Sequence, residues 1–551
     1  MDSRDFVEKT RVVRPLATLL LVNSLLVAPL WIVSGGPGPH LVALEAGIVT
    51  GLFMTLPARR WVRVLAWVVS ISLVTASLLT LADATMRTSL ARPLNLYLDL
   101  RLASSVANLL RGTLGVVPGV LLMVGGAVAA VALTVVLARL LPTIGVQPTS
   151  RRPRIAGAVV LGLCLLAVPV RRADPVRRAD PAGIALGLPA VRIVHDQATQ
   201  LARMLRERER FAAEMEGAPS SYAAARGLLS GLDGRDVIMA FIESYGMSAV
   251  QDARYAPVVR PKLHAMAERL DDAGLHVATG SLVAPSQGGM SWLGHGSMLS
   301  GLWLDNQLRY DLLLAGDRET LIDDFEAAGY RTVALMPAIT MAWPEGERFG
   351  YERIYAYEDI DYAGPALNWV TMPDQYTWSF LESAVRTGDD ARPLFAEIGL
   401  ISSHAPWTPI LSVLDDWEEI GDGAIFEPWG GAGQRPEQLW LDTERVREHY
   451  ALAVGYAVDV LASYAARYVD GGTVLIALGD HQPAALITGD DAGRAVPVHV
   501  IAGERAMLEP FLNWGFVEGT LPDVSREAPR MDAFRDWFVT AFSSTPQRAG
   551  L

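Results

Sequence analysis

The first third of the chain carries apolar runs that are too long for a water-soluble fold. A helix needs about 20 apolar residues to cross a hydrocarbon core of about 30 Å, and two of the five runs are short by that measure. The first run is too long for a cleavable signal, and further runs follow it directly. We predict a helical membrane domain over residues 1–170 with five spans: Pro15–Gly35, Leu41–Leu56, Trp61–Ala82, Leu114–Leu141 and Ile155–Val170.

Basic residues in the loops give the predicted orientation. Three clusters lie before the first span, between the second and third spans, and between the fourth and fifth, and such clusters favour the cytoplasmic side. We therefore predict a multi-pass protein of the cell membrane, with a cytoplasmic N-terminus and with everything after about Arg171 outside the cytoplasm. The clusters are Arg4, Lys9, Arg11 and Arg14; Arg59, Arg60 and Arg63; and Arg139, Arg151, Arg152 and Arg154.

Two features of this region need separate interpretation. The loop from about Asp83 to Thr113 holds four arginines although it lies on the outer side, and we interpret it as an interfacial amphipathic helix. Its apolar stripe is Leu94, Leu98, Leu102, Val106 and Leu109. Glu45 lies near the end of the short second span, where we expect it to be solvated or paired; a functional intramembrane carboxylate is the alternative.

Residues 171–233 are predicted to be a juxtamembrane linker followed by an amphipathic helix. The tandem VRRADP, from Val170 to Pro175 and from Val176 to Pro181, is charged, contains proline and lacks apolar periodicity. A helical pattern then runs from about Leu188 to Glu216, with a charge run that indicates a solvated face. Its apolar positions are Val191, Val194, Leu201 and Leu205.

Charge and cysteine content exclude two classes of site. The chain has 60 acidic and 47 basic residues, which argues against a nucleic-acid-binding surface. Cys164 is the one cysteine, so the chain forms no internal disulfide and no cysteine-rich zinc site. Any metal ligands must come from His, Asp and Glu.

Residues 234–551 alternate short apolar runs with longer amphipathic ones, which is typical of an α/β domain with a mostly parallel sheet and helices on both faces. In such sheets ligands bind at the carboxyl ends of strands. The predicted strands are Asp236–Ile242, Val277–Val283, Thr332–Met336, Leu394–Leu400, Thr473–Leu478 and Val496–Ile501. The predicted helices include Val258–Ala273, Glu319–Ala328, Gln375–Val385, Arg445–Tyr468 and Met531–Thr540.

Three metal-binding residue types follow two of these strands. Glu243 comes directly after the first strand, and Asp480 and His481 come after TVLIALG. Two carboxylates and an imidazole that converge from distant strands predict a site for one divalent cation. Taken singly, Glu243 fits a helix cap and an Asp-His pair fits a turn.

Ser291 follows a Gly-rich turn, in APSQGGMSWLGHGSMLSGL, and begins a predicted helix. A hydroxyl there lies among free backbone N–H groups that favour a phosphate or sulfate ester. A serine needs a base or a cation to act as a nucleophile, and the predicted metal supplies the cation. The alternative is that Ser291 is only an N-cap.

These residues resemble the alkaline phosphatase and sulfatase superfamily, and within it the membrane-anchored phosphoglycerol transferases of the lipoteichoic acid synthase type. The resemblance covers roughly Asp236 to Ala541, and the five predicted spans match that type's layout. When the sulfatase segment C-x-P-S-R-x-x-L-L-T-G is placed on the chain, its cysteine falls on Ser291. Leu293 and His295 replace the proline and arginine needed for formylglycine formation, which argues against a true sulfatase.

The transferase pattern implies a metal set of Glu243, Ser291, Asp480 and His481, with Ser291 in place of a threonine nucleophile. It also implies that His404, in SSHAPW, contacts the phosphate or protonates the leaving oxygen. The pattern further implies a pocket tryptophan at Trp343. Separately, the position of His295 one helical turn past Ser291 predicts that it faces the substrate; a surface or core histidine is the alternative. Glu345 and Met336 stand where the pattern has an arginine and a histidine, so the glycerophosphate pocket is not reproduced.

The predicted function is metal-dependent transfer of a phosphoglycerol- or phosphoethanolamine-type head group through a covalent Ser291 intermediate. The donor is a membrane lipid, the acceptor is an envelope glycan or lipid, and the metal is Mn²⁺, with Mg²⁺ or Zn²⁺ as alternatives. A phosphodiesterase or phosphatase uses the same residues with water as acceptor, and a non-catalytic envelope-binding module is a further alternative. A serine hydrolase is disfavoured, because Leu293 occupies the glycine position of its nucleophile elbow.

Overall fold

The computed structural model describes residues 3–34, 42–57, 59–90, 92–100, 111, 115–145, 151–173, 186–216, 227–387, 390–489 and 491–543. The chain divides into two compact units. The first comprises Met1–Thr88 and Arg92–Met204, and the second comprises Ser89–Ala91 and Leu205–Leu551.

The first unit is helical. Three of its helices are long and apolar enough to cross a membrane, over Val13–Val33, Arg60–Ser89 and Val116–Ile144. The other two predicted spans coincide with shorter apolar stretches, Leu44–Thr55 and Pro153–Ala167, so five spans are not confirmed. The helices are α1 (Ser3–Ser34), α2 (Leu44–Thr55), α3 (Arg60–Leu90), α4 (Leu96–Asp99), α5 (Val116–Leu140), α6 (Arg151–Ala173) and α7 (Pro189–Glu216); β1 (Val42–Ala43) pairs in parallel with β2 (Leu186–Gly187).

The two shorter helices, α2 and α6, approach each other through glycines. A Cβ atom added at Gly51 would lie 2.8 Å from the Gly157 oxygen, and one added at Gly157 would lie 2.6 Å from Met54 Cβ. A Cβ atom at Gly47 would lie 2.4 Å from the sulfur of Cys164. Small residues that allow close backbone approach are the usual basis of helix pairing in membranes.

Glu45 is paired, as one of the two interpretations predicted. The carboxylate is 7% exposed, and its Oε1 accepts hydrogen bonds from the N–H groups of Ala190 and Val191 at 3.0 and 3.2 Å. These are the second and third residues of α7, so Glu45 satisfies free donors at the start of that helix.

Parts of two predicted segments can be followed. Helix α3 continues past the predicted end of the third span to Leu90, and α6 extends to Ala173 in the first VRRADP unit. Leu102, Val106 and Leu109 of the predicted interfacial stripe lie outside the described residues, as does the second VRRADP unit.

The second unit is built on an eight-stranded sheet in the order β10-β4-β9-β8-β3-β7-β5-β6. All six predicted strands are confirmed, and β6 and β10 are additional edge strands. The sheet is parallel from β8 through β6 but antiparallel at β8-β9, β9-β4 and β4-β10. The strands are β3 (Asp236–Ile242), β4 (His276–Val283), β5 (Arg331–Met336), β6 (Arg353–Ala356), β7 (Leu394–Leu400), β8 (Thr473–Gly479), β9 (Ala495–Ala502) and β10 (Val517–Glu518).

Side chains of β3 alternate between two apolar cores, so both faces of the sheet are covered. Ile238, Ala240 and Ile242 pack into one core with α9 and α16, while Met239 and Phe241 pack into the other with α10, α12 and α19. The helices are α8 (Met247–Gln251), α9 (Ala256–Asp272), α10 (Ser291–Ser300), α11 (Gln307–Ala315), α12 (Leu321–Ala327), α13 (Pro344–Phe349), α14 (Asp374–Phe380), α15 (Pro436–Leu439), α16 (Thr443–Tyr468), α17 (Ala485–Thr488), α18 (Glu509–Trp514) and α19 (Phe534–Phe542).

Candidate active site

Adjacent parallel strands bring Glu243, Asp480 and His481 together. Ile242 of β3 is in register with Gly479 of β8, so the residues that follow each strand meet at one edge of the sheet. His481 Nε2 lies 3.6 Å from Glu243 Oε1 and 3.5 Å from Asp480 Oδ2. Ligand atoms of the three residues all lie within 4.8 Å of one another, as predicted for a metal site.

Hydrogen bonds orient the three side chains toward a common point. Ser244 donates from its N–H to Asp480 Oδ1 at 2.8 Å and from its hydroxyl to Glu243 Oε1 at 2.7 Å. His481 Nδ1 lies 2.9 Å from the Gln482 carbonyl oxygen and can only donate to it, which leaves the Nε2 lone pair free for a metal. Glu243 does not cap the next helix, since Gly246 is the N-cap of α8.

The electrostatics of the site show two crowded carboxylates. Burial, and then the charge of Glu243, raise the pKa of Asp480 to about 6. Burial opposes ionisation of Glu243, but His481 and His404 outweigh it and hold the pKa of that carboxyl below its usual value. Burial also opposes protonation of His481, yet Asp480 and Glu243 together raise the pKa of that imidazole. A divalent cation would relieve this repulsion.

Ser291 completes the group. It is the first residue of α10, and its hydroxyl lies 3.4 Å from Glu243 Oε2 and 3.3 Å from His481 Nε2. The N-cap of α10 is Met290, held at a φ of 62° after Gly288 and Gly289, so the N-cap interpretation of Ser291 is wrong. Four ligands at about 2.1 Å from a tetrahedral ion lie about 3.4 Å apart, which agrees with the separations found here.

A glycine sets the distance between α10 and the metal-ligand loop. A Cβ atom at Gly294 would lie 2.8 Å from the Asp480 carbonyl oxygen, closer than a non-bonded carbon and oxygen can approach. The absence of a side chain therefore lets the helix that carries Ser291 rest directly on the loop that carries Asp480.

The loop after β7 brings His404 to the site. Ser403 donates to the Glu243 carbonyl oxygen at 2.6 Å, and His404 Nδ1 lies 2.5 Å from the Ala405 oxygen, to which it donates. Asp374, fully buried at the start of α14, accepts from the N–H groups of Ile401 and Ser402, each at 2.8 Å. Burial raises the pKa of Asp374 to about 6. Nothing in the sequence near Asp374 predicted this anchoring role.

His295 lies in contact with a buried acid that the sequence reading missed. Its Nδ1 is 2.7 Å from Glu397 Oε1, and its ring stacks on Phe241 with a centroid distance of 3.7 Å. Glu397 is 1% exposed and interrupts the apolar strand LFAEIGL. A charged residue in the middle of a buried strand was the available signal.

Other predicted or weighed residues lie outside this group. Trp343, at the start of α13, packs on Gly346, and within the described residues it makes no hydrogen bond or ring contact with Ser291 or the three metal-binding side chains. His499 is buried between Tyr245 and Thr279, and burial lowers its pKa to about 4. His264 and His276 are exposed, and His449 donates to the Trp407 oxygen.

Comparison with known proteins gives structural likenesses only. No known family profile and no curated protein matches the sequence. The chain is similar to lipoteichoic acid synthase LtaP from Listeria monocytogenes (13% identity, TM-score 0.34, 52% of this chain and 69% of that one). It is also similar to the C-terminal periplasmic domain of EcEptC from Escherichia coli in complex with Zn (15%, 0.35, 57% and 84%). A third likeness is to the phosphoglycerol transferase GacH from Streptococcus pyogenes in complex with sn-glycerol-1-phosphate (11%, 0.34, 54% and 74%).

Proposed function

We propose that the chain is a metal-dependent phosphotransferase that moves a phospho-head group from a membrane lipid to an envelope glycan or lipid through a covalent Ser291 intermediate. One observation carries the proposal: the Ser291 hydroxyl lies 3.3–3.4 Å from His481 and Glu243, inside a group with the ligand types and spacing of a divalent-metal site. A structural serine has no use for two acids, one of them fully buried, and an imidazole around its oxygen.

Glu243, Asp480, His481 and Ser291 would hold the cation, which we propose to be Mn²⁺, with Mg²⁺ or Zn²⁺ as alternatives. When bound, such an ion supplies Lewis-acid stabilisation of the developing negative charge and favours the ionised serine hydroxyl. The N–H groups in the first turn of α10 carry a partial positive charge, which favours an anionic phosphoryl group beside Ser291.

The first step is attack on the lipid. Ser291 Oγ forms a bond to phosphorus, the bond from phosphorus to the lipid oxygen breaks, and His404 donates a proton to that oxygen. In the second step an acceptor hydroxyl attacks the phosphoserine phosphorus, returns a proton to His404 and releases Ser291. The lipid leaves as an alcohol, and the acceptor leaves as a phosphodiester.

The membrane helices give this chemistry its context. Three helices long enough to span a bilayer precede the second unit in the chain. We propose that they anchor the protein in the cell membrane with a cytoplasmic N-terminus, and that the second unit works on the outer side, where lipid head groups and envelope acceptors meet. The same residues acting with water would make the protein a phosphodiesterase.

The test uses the full-length chain in detergent with bis(4-nitrophenyl) phosphate and added Mn²⁺, Mg²⁺ or Zn²⁺. We expect metal-dependent release of 4-nitrophenolate, its loss in Ser291→Ala, and a mass increase on the Ser291 peptide after an acid quench. Ser281→Ala, in β4 of the same unit, is the control and should behave as wild type. Turnover that survives in Ser291→Ala would reject the covalent serine mechanism, and absence of both metal binding and turnover would favour the non-catalytic module.

A further inference from the structure

Two contacts hold the imidazole ring of His295 in place, a hydrogen bond to Glu397 and a stack on Phe241. Its Nδ1 is 2.7 Å from Glu397 Oε1, and its ring lies nearly parallel to Phe241, with an angle of 21° between the planes. Glu397 is 1% exposed, and its second oxygen accepts a hydrogen bond from the buried hydroxyl of Tyr351. Stacking fixes the plane of the imidazole, and the carboxylate fixes its rotation within that plane.

These contacts determine which ring nitrogen of His295 carries a proton and which can accept one. Glu397 accepts from Tyr351 with one oxygen and faces Nδ1 with the other, so Nδ1 carries a proton and donates it. Nε2 makes no hydrogen bond to any of the described residues, and the His295 side chain retains 16% of its exposure. A buried acid that selects the imidazole tautomer and leaves the other nitrogen free is the arrangement that general-base histidines use.

The helix places this free nitrogen near Ser291. Residues i and i+4 of a helix lie one above the other, about 5–6 Å apart at Cβ, and their side chains lean toward the helix N-terminus. His295 is the i+4 neighbour of Ser291, and α10 begins at Ser291. The imidazole of His295 therefore leans back toward the turn that carries the hydroxyl. Since Nε2 makes no direct hydrogen bond to Ser291, a proton would pass between them through one water.

The groups closest to the hydroxyl cannot take its proton in the metal-bound enzyme. His481 Nε2 and Glu243 Oε2 lie 3.3 and 3.4 Å away, but under the proposed function both are metal ligands, and a lone pair that binds a cation is not free to bind a proton. His404 is assigned to the oxygen of the leaving group. The proton of Ser291 thus needs another acceptor.

We propose that His295 is the general base for Ser291 and that Glu397 is the positioning residue that holds it; this inference rests on the proposed function. As Ser291 Oγ forms its bond to phosphorus, its proton moves to His295 Nε2, and the lipid oxygen leaves with its electron pair and the proton from His404. When the acceptor attacks, the bond from phosphorus to Oγ breaks and His295 returns the proton to Ser291. Glu397 keeps its charge throughout and stabilises the transient imidazolium.

The two histidines can be separated by the leaving group. 4-Nitrophenolate leaves with little need for a proton, whereas Ser291 must lose its proton whatever the leaving group is. With bis(4-nitrophenyl) phosphate and Mn²⁺, we expect kcat of the full-length His295→Gln variant to fall by about 10²-fold or more, and that of His404→Gln to fall much less. His264→Gln, a change at an exposed histidine outside the site, should match the wild type.

Two readouts separate a general base from a merely structural residue. Added imidazole should restore part of the activity of His295→Ala and none of the activity of Ser291→Ala. Histidine-selective ¹⁵N NMR of the metal-free protein, which has nine histidines, should show the His295 Nδ1–H signal in the wild type and its loss in Glu397→Gln. The Mn²⁺ dissociation constant should stay unchanged in His295→Gln.

The outcomes are distinguishable from failure of the proposed function. A His295→Gln rate within threefold of wild type, while Ser291→Ala is inactive, would overturn this inference and leave the proposed function standing. No Ser291-dependent turnover in the wild type would mean that the proposed function itself fails. If His295→Gln does not fold, the Glu397→Gln variant tests the inference instead. We expect its kcat to fall at least tenfold and its pH–rate profile to change. Wild-type behaviour of Glu397→Gln would overturn the inference.

Discussion

At the scale of single residues, protons and the proposed cation would compete for the same atoms. Asp480 has a pKa of about 6 because it is buried beside Glu243, and the pKa of His481 is raised as well. Both must be deprotonated before a cation binds. Below pH 6, therefore, metal binding has to displace protons from its own ligands.

We predict that Mn²⁺ affinity rises with pH through this range. Between pH 5 and 6 the dissociation constant should fall about tenfold or more, because at least one proton is released per ion, and the dependence should flatten above pH 7. Isothermal titration calorimetry at several pH values gives both the affinity and the proton release. Asp415→Asn, a change at an exposed acid, should leave the curve unchanged, and a pH-independent affinity would contradict the assignment of Asp480 and His481 as ligands.

The sequence predicted that these side chains come together where reactive residue types coincided with strand ends. Glu243, Asp480 and His481 could be found because each directly follows a recognisable apolar strand, and Ser291 because it follows a Gly-rich turn. Asp374 could not be found, because it supports the loop at Ile401–Ser402 through a tertiary contact that no local pattern encodes. Glu397 was visible as a charged residue within an apolar strand. Its contact with His295 could not be predicted, because the two residues are 102 positions apart along the chain.

At the scale of elements, the contact between α10 and the loop after β8 controls the site. A side chain at Gly294 would meet the Asp480 backbone oxygen at 2.8 Å, and backbone cannot move aside as a flexible side chain can. We predict that Gly294→Val displaces Ser291 from the metal group and lowers kcat about 10²-fold, as misplacement by about 1 Å typically does.

Gly296→Ala on the same helix is the matched control for this change. Its Cβ would meet the terminal methyl group of Leu304, also at 2.8 Å, and that side chain can rotate away. Stopped-flow release of 4-nitrophenolate, with circular dichroism to check folding, measures both variants. Equal activity of the two variants would show that close approach at Gly294 does not matter.

The strand pair β4–β9 carries a prediction about acid stability. His499 is buried between Tyr245 and Thr279, and burial lowers its pKa to about 4, whereas an unfolded histidine titrates near 6.5. Its contribution to stability is fully present above about pH 6.5 and is lost as pH falls toward about 4, because only the unfolded chain takes up the proton. Between pH 7 and 5 this amounts to about 2 kcal/mol.

We therefore expect the melting temperature of His499→Gln to fall less between pH 7 and 5 than that of the wild type, by a few degrees. We compare the pH dependences of the two melting temperatures rather than their absolute values. A packing defect in the variant lowers its melting temperature at every pH and so does not affect this comparison. His264→Gln should follow the wild type. Identical slopes for wild type and His499→Gln would show that His499 is not protonated on unfolding in this range.

Strand prediction succeeded in the sheet interior and failed at its edges. Five of the six predicted strands are nearly continuous apolar runs, as strands covered on both faces must be, and β4 departs from this with Thr279, Gly280 and Ser281. The edge strand β6 has the sequence RIYA and is only half-buried, and β10 has two residues, so neither carries an apolar signal. Edge strands are recognised by their neighbours more than by their own sequence.

At the scale of the whole molecule, the orientation of the chain is testable with its single cysteine removed. In a Cys164→Ala background, we predict that a cysteine introduced by Asp415→Cys reacts with a membrane-impermeant maleimide in intact cells. A cysteine introduced by Ser3→Cys should react only after the membrane is permeabilised. Gel-shift labelling reads out both, and the reverse pattern would invert the proposed topology.

The predicted boundaries near residues 170 and 233 stay predictions, because the two compact units divide near Met204, and the predicted five spans are not all confirmed. Helices form in all five predicted spans, and three of them are long and apolar enough to cross a membrane. Composition alone could not show that α2 and α6 pair through Gly51 and Gly157 or that Glu45 holds the start of α7. Those contacts depend on residues that are distant in the sequence.

Under the proposed function, the anchoring of the His404 loop by Asp374 has a consequence for the range of substrates accepted. Because a buried carboxylate already holds the backbone of Ile401 and Ser402, the loop does not have to become ordered when a ligand arrives. Binding free energy is therefore not needed to order the loop. A head group of the wrong shape would clash with a rigid loop that does not adjust to it. The protein should therefore accept only a narrow range of head groups. Its backbone should move little between the free and the substrate-bound states.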